Sequence, residues 1–361
     1  MELKNLLAKM IKLEASDLHL KVGSPPVMRI NGSLTALNME PLSNDDLRKA
    51  AASLMTKEQQ EKFSKQKEAD FAIGLKGLAR FRVNIYVQRG SIAIAMRIIP
   101  HQIKTIEELN LPGVLRDFSM RPRGLVLATG TTGSGKSTTL AAMIEHINLN
   151  VNKHIITVED PIEYLFKDKK SIISQREVGS DTNSFGNSLR YILRQDPDVI
   201  MIGEIRDVET MDIALKAADT GHLVFSTLHT LNAAETINRI ISFYPPYQQQ
   251  HIRVLLSATL VGVISLRLLP TKDGKGRMPA TEILVATPLI REYLLDEVKT
   301  LKIPDAIVEG DQYGMHSFDQ SIMEYYKRGV IDLETAIENV TNPDEFKMKL
   351  KGIETMQAGW G

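Results

Sequence analysis

The sequence predicts an α/β chain: a domain built on a parallel sheet covered on both faces, preceded by a smaller mixed domain of helices and hairpins. Three observations predict it. After Gly124, short apolar runs at 125–129, 155–159, 199–203 and 223–228 alternate with helical stretches, the pattern of parallel strands buried on both sides. Before residue 100 the apolar residues instead recur every second position, as in half-buried hairpins. A glycine-rich octapeptide, Gly130–Ser137, stands between the first apolar run of the later part and its first helix.

Taken in order, the first hundred residues read as the small mixed domain. Val27–Leu34 is a hairpin signal with Asn31-Gly32 at the turn. Residues 45–65 have helical spacing. A second hairpin follows: Phe81, Val83, Ile85 and Val87 on one strand and Ile92, Ile94, Met96 and Ile98 on the other form the core face, which puts Arg82 and Arg97 on the opposite face. Pro100, Pro112, Gly113 and Pro122 mark a connector with a short helical piece. The expected boundaries are 1–100, a linker at 101–122, and 123–361 for the parallel-sheet domain with a helical C-terminal segment. Residues 248–269 read as one core-facing helix through Ile252, Leu255, Leu256, Leu260, Val263 and Ile264. Mostly helical segments are expected after Pro279, and a surface tail at 344–361 that includes Lys347, Lys349 and Lys351. The turn at 167–170 reads as solvated.

Composition narrows the classes. The 361 residues are 43% apolar and 24% charged, and Lys plus Arg equals Asp plus Glu at 44 each. A neutral balance argues against a dedicated nucleic-acid binder, which carries a basic stripe. With no cysteine there is neither a disulfide nor a thiolate metal site. No secretory leader is visible, and the apolar stretch at 255–269 is broken by polar residues and Arg267, short of a membrane span. A cytoplasmic location is expected.

Chemistry concentrates at the octapeptide. Gly130, Thr131, Thr132, Gly133, Ser134, Gly135, Lys136 and Ser137 fit G-x-x-x-x-G-K-[ST], with an apolar strand before and a helix starting at Thr138 after. Glycines let the backbone curl its N–H groups onto phosphate oxygens, and the helix N-terminus adds partial positive charge. Lys136 is then placed for the β- and γ-phosphates and the Ser137 hydroxyl for Mg2+.

Two apolar runs end in acids. Val199–Ile202 leads through Gly203 to Glu204. In phosphate-loop enzymes such a strand lies beside the loop, and its carboxylate aims the attacking water; the plainer alternative is a surface carboxylate paired with Arg206. Thr157–Glu163 holds Glu159, Asp160 and Glu163, close enough to repel unless a cation or arginine sits among them. Glu159 and Glu163 are candidates for positioning metal or water, against a solvated acidic turn. His222 and His229 flank the run 223–228. Their spacing of seven does not suit a compact metal site; His229 is open between a γ-phosphate sensor and a structural residue. Taken alone, Arg82 and Arg97 read as a solvated strand face.

In sum these segments resemble the family of secretion and type IV pilus ATPases, and within it the pilus retraction motors. The likeness runs over nearly the whole chain. Ala15–Leu20 with Gly23–Pro26 resembles the family's N-terminal signature and Thr157–Tyr164 its aspartate box. Gln195–Asp198 leading into Gly203–Asp207 resembles its Walker B region, and Gly221–Asn232 its histidine box. The resemblance implies a PAS-like N-terminal domain joined to a RecA-like P-loop NTPase domain. It implies a homo-hexamer at the cytoplasmic face of the inner membrane that hydrolyses ATP with Mg2+ and powers pilus retraction and twitching motility. The implied partner is an inner-membrane platform protein of the pilus, with no nucleic acid. It lifts Arg82 and Arg97 to arginines that meet the nucleotide and His229 to a γ-phosphate contact, and it carries His222 as a member of the histidine box. Two departures stand out: Thr131 replaces the usual Pro, and Pro288–Leu295 lacks the Asn of the retraction motors' Ala-Ile-Arg-Asn-Leu-Ile-Arg-Glu. The alternatives are an accessory or secretion-type motor and a nucleic-acid translocase.

Overall fold

The structure is a computed structural model that describes residues 2–30, 32–75, 79–99, 103–274 and 276–350. It divides into two compact units: the chain up to residue 102 together with Glu163–Leu165, and the remainder.

The first unit is a six-stranded antiparallel sheet. Its strands are β1 (Asp17–Lys21), β2 (Val27–Ile30), β3 (Ser33–Ala36), β4 (Glu68–Gly74), β5 (Arg80–Gln88) and β6 (Ser91–Ile99), in the order β3-β2-β1-β6-β5-β4. Helices Leu3–Lys12 and Asn44–Leu54 bury Leu6, Leu7, Met10, Leu47 and Ala51 with Leu18, Phe81, Val83, Ile85 and Met96 in one core. The alternation in the second hairpin holds for Phe81, Val83 and Ile85, whereas Val87 is exposed at the strand's end. Arg82 faces Arg97 directly across β5 and β6. The helical stretch at 45–65 is two helices, because Thr56 caps Lys57–Gln66 by accepting from the Gln59 N–H while Gln59 accepts from Thr56. Gly32 has φ +83° at the first hairpin turn; Asn31 lies outside the described residues.

The second unit is built on strands β7 (Gly124–Thr129), β8 (His154–Glu159), β9 (Ile172–Glu177), β10 (Val199–Ile202), β11 (Leu223–Leu228), β12 (Leu260–Pro270) and β13 (Arg277–Val285). Their order is β13-β12-β7-β11-β10-β8-β9, and every pairing is parallel except β12 with β13. Successive β7 residues feed different cores: Leu125 and Leu127 join one, with Met211, Leu215, Ile237 and Leu256 from the helices, and Val126 and Ala128 join the other, with Leu140, Met143 and Ile147. Both faces are thus covered, which is why the strands read as continuous apolar runs.

Three expectations change. Ile106, Leu111, Leu115 and Phe118, from the stretch expected to be a linker, lie in the second of these cores; Gly262 has no Cβ because one would stand 2.4 Å from the Phe118 ring. Residues 248–269 are a helix only to Thr259, after which β12 begins. With a register shift at Leu260/Gly262, Leu260 and Val263 enter one core and Val261 and Ile264 the other, so a bulged strand imitates helical spacing. The tail begins as the helix Pro343–Leu350 with Phe346 buried; residues 351–361, with Trp360, lie outside the described residues. Among the described residues no helix is long and apolar enough to cross a membrane.

Candidate nucleotide site

The parallel strands all point their carboxyl ends to one edge of the sheet, where crevices for ligands form in open α/β folds. β7 delivers Gly130 to that edge. Its φ is +137°, and an added Cβ would stand 2.5 Å from both the Leu266 carbonyl oxygen and Ser134 Oγ. Only glycine lets the chain turn there under β12. Thr131, Thr132 and Gly133 form the exposed crest. Gly135, at φ +100°, is the N-cap of the helix Lys136–Asn150. Lys136 is buried, and its Nζ donates to the Gly130 carbonyl at 2.8 Å and the Thr131 carbonyl at 2.9 Å. The ammonium therefore lies over the curled backbone that carries the loop's N–H groups. Ser137 and Thr138 are half-buried on the first helical turn.

β11, not β10, is the neighbour of β7. This corrects the expectation that the Glu204 strand lies beside the loop; two inter-strand spacings, roughly 10 Å, separate them. Gly203 continues β10, donating to the Val158 carbonyl at 2.8 Å, and its own carbonyl accepts from Thr227 Oγ1 at 2.8 Å. Glu204 follows with a side chain only 13% exposed. Arg206 Nη2 lies 2.5 Å from its Oε1, and His229 Nε2, one residue beyond β11, lies 3.4 Å from its Oε2. That hydrogen bond and the Glu204 charge hold the Arg206 guanidinium above its ordinary pKa, with a further contribution from Asp160. The plainer reading, a Glu204–Arg206 pair, is thus present, and the same carboxylate stands at the edge where the loop opens.

β8 brings Glu159 to that edge. It is buried, and its Oε1 accepts from Thr157 Oγ1 at 2.7 Å and Gln175 Nε2 at 3.1 Å. Gln175 sits on β9, sixteen residues away, and no motif in the sequence pointed to it. Asp160 is exposed. Glu163 is also exposed and is grouped with the first unit. The oxygen donors at the edge, Ser137, Glu159 and Glu204, suit a hard divalent cation such as Mg2+. No group of three or more His, Cys, Asp or Glu side chains converges as a metal cage among the described residues.

His222 is not brought to this edge. It precedes β11 at the amino end, its carbonyl accepts from Gly124 N–H, and its Nδ1 lies 2.9 Å from the Ala217 carbonyl. A six-residue strand, roughly 20 Å long, separates it from the loop edge. In the first unit Arg82 binds Asp70 through Nε and Nη2, at 3.3 and 2.8 Å, and Arg97 Nε binds Asp17 at 2.7 Å. Burial opposes ionisation of Asp17, but hydrogen bonds from Ser16 and Arg97 outweigh it and hold its pKa below the ordinary value.

Comparisons with known proteins agree with this geometry. The family model described as Type II/IV secretion system protein matches residues 2–316. The chain is 43% identical over 346 residues to the type IV pilus retractation ATPase PilT of Pseudomonas aeruginosa, covering 96% of this chain and 100% of that one. It is 40% identical over 351 residues to the type IV pilus ATPase PilU of the same organism, covering 97% and 92%. A crystal structure of the pilus retraction motor PilT with bound ADP superposes with a TM-score of 0.89 at 44% identity, over 96% of this chain and 98% of that one. An α+β N-terminal unit and a RecA-like core are the shared architecture, as the sequence predicts. The chain belongs to the family of type II/IV secretion system proteins.

Proposed function

We propose that the chain is an ATP-hydrolysing motor subunit that powers type IV pilus retraction, and with it twitching motility. One observation carries the reading: the phosphate loop and Glu204 stand on the same edge of the sheet in a chain that matches a retraction ATPase along its whole length. Lys136 and the loop N–H groups hold the triphosphate, whose charge the helix N-terminus favours. Glu204 aims a water at the γ-phosphorus; the bond to the ADP oxygen breaks, and ADP and inorganic phosphate leave. The Ser137 hydroxyl, with an acid of the same sheet edge, would hold Mg2+, which would neutralise phosphate charge there; Glu159 is proposed as positioning metal or water. His229, Arg82 and Arg97 are proposed as groups that read the γ-phosphate, the arginines by exchanging Asp70 and Asp17 for it. Glu163 is carried as a further acidic residue of the same chemistry.

The wider setting is part of the proposal: a homo-hexamer working at the cytoplasmic face of the inner membrane on a platform protein of the pilus. The missing Asn in Pro288–Leu295, together with the likeness to PilU, favours an accessory motor as the second reading. Glu204→Gln tests the chemistry: it should keep nucleotide affinity and lower steady-state phosphate release by about 100-fold or more. Deletion of the gene, scored by retraction and complemented with the wild type or Lys136→Ala, separates the primary motor from an accessory one.

A further inference from the structure

We propose that Arg206 is a latch on Glu204, a positioning residue that occupies the carboxylate in one state and frees it by swinging to Asp160. The inference rests on the proposed role of Glu204.

The two partners of the ion pair differ in freedom. Glu204 is 13% exposed, on a stub fixed from both sides: Gly203 donates to β8 through the Val158 carbonyl and accepts from Thr227 of β11. An added Cβ at Gly203 would come within 3.3 Å of Glu159 Cα, so the β8 and β10 ends are in close contact. Arg206 is 70% exposed. When such a pair opens, the guanidinium moves and the carboxylate stays.

Both oxygens of Glu204 have neighbours, Arg206 at 2.5 Å on Oε1 and His229 at 3.4 Å on Oε2. A carboxylate aims water through an oxygen lone pair that points at it. A guanidinium proton seated on Oε1 competes for that direction and fixes the plane of the group. Arg206 also has a second acceptor within electrostatic reach. Asp160, at the end of the adjacent strand β8, adds to the field that stabilises the Arg206 charge, is exposed, and has no ion pair of its own among the described residues. One arginine between two carboxylates, one fixed and half-buried and one exposed, is a two-position device. Because guanidinium donors fork, the transfer does not require the charge to pass through an unpaired state.

With its guanidinium exposed to water, such an ion pair is worth a factor of about two to five in population, so the latch tunes the rate rather than switching it off. The test uses the full chain, with steady-state phosphate release and nucleotide affinity measured for Arg206→Gln, Arg206→Lys, Asp160→Asn, the double variant Arg206→Gln/Asp160→Asn, and Glu204→Gln. Arg206→Gln should raise kcat by about two- to fivefold at unchanged nucleotide affinity, with Arg206→Lys between it and the wild type. Asp160→Asn removes the resting place and should lower kcat, while the double variant should match Arg206→Gln alone. An equal or lower kcat in Arg206→Gln, or single effects that simply add in the double variant, overturns the latch. If Arg206→Gln does not fold, Asp160→Asn decides alone: a lower kcat supports the latch and an unchanged or higher one overturns it. Glu204→Gln separates the failures. Wild-type turnover in that variant defeats the role of Glu204 itself, whereas an inactive Glu204→Gln beside an Arg206→Gln that is no faster defeats only the latch.

Discussion

The residues that matter most are constrained by backbone as much as by chemistry. Gly130 combines a left-handed φ of +137° with two atoms at 2.5 Å from any added Cβ, whereas Gly133, at φ +80°, has open space around it. Gly130→Ala should therefore cost on the order of 1–3 kcal/mol in strain plus the displacement of Ser134 or β12. A lowered Tm and lost binding of a fluorescent nucleotide should report it. Gly133→Ala should suffer the backbone strain alone and keep more of both. The glycines, Lys136 and Ser137 were legible in the sequence because a phosphate loop needs those residue types at fixed spacing. Gln175, which holds Glu159, was not legible, because a parallel crossover brings it in from a separate strand with no local signature.

At the scale of elements, the site is assembled by what ends each strand. β10 stops at Ile202, and after Gly203–Arg206 the helix Val208–Asp219 starts on the Asp207 cap, whose Oδ1 accepts from the Thr210 N–H at 2.7 Å. Glu204 and Arg206 hang between these two anchors. Asp207→Ala should lower the unfolding free energy by about 1 kcal/mol, read from urea denaturation followed by helical signal. Asp207→Asn, which keeps the accepting oxygen, should restore most of it. If the Asn variant is as unstable as the Ala variant, capping is not what Asp207 does. Elements were readable where one pattern ran uninterrupted, alternating in β5 and continuously apolar in β7 and β11. They were misread where a bulge shifted the period, as at Leu260/Gly262.

For the molecule as a whole, stability should depend on pH through a group far from the phosphate loop in sequence. His316 Nε2 lies 2.8 Å from Thr281 Oγ1, and its backbone carbonyl accepts from Ile283, tying the C-terminal helices to β13. Burial pushes its pKa below the ordinary 6.5, outweighing the opposite pull of Glu324 and the Gly314 backbone. The folded protein therefore binds fewer protons than the unfolded chain between the lowered value and 6.5. Stability from this group is fully present above that ordinary value and is lost as the pH falls below it, until the folded pKa is passed. Differential scanning calorimetry should show Tm falling as pH drops through that window, and a flatter dependence in His316→Gln. An identical slope in the two proteins would remove His316 from the account.

By itself the sequence determined the chemistry of the phosphate loop, the acids at the ends of two strands and the two-faced burial of the sheet. These are local facts: spacing, residue type and period survive without knowing what lies across the fold. Tertiary structure alone decided the strand order that puts β11 between the loop strand and Glu204, the opposite-edge position of His222, and the burial of Ile106, Leu111, Leu115 and Phe118 in a core of the second unit. It also decided that Arg206 and His229 share one carboxylate. Each of these depends on which strands pair and where a chain crosses over, and pairing between residues distant in the chain is set by the packing of whole faces, on which no single stretch of sequence reports.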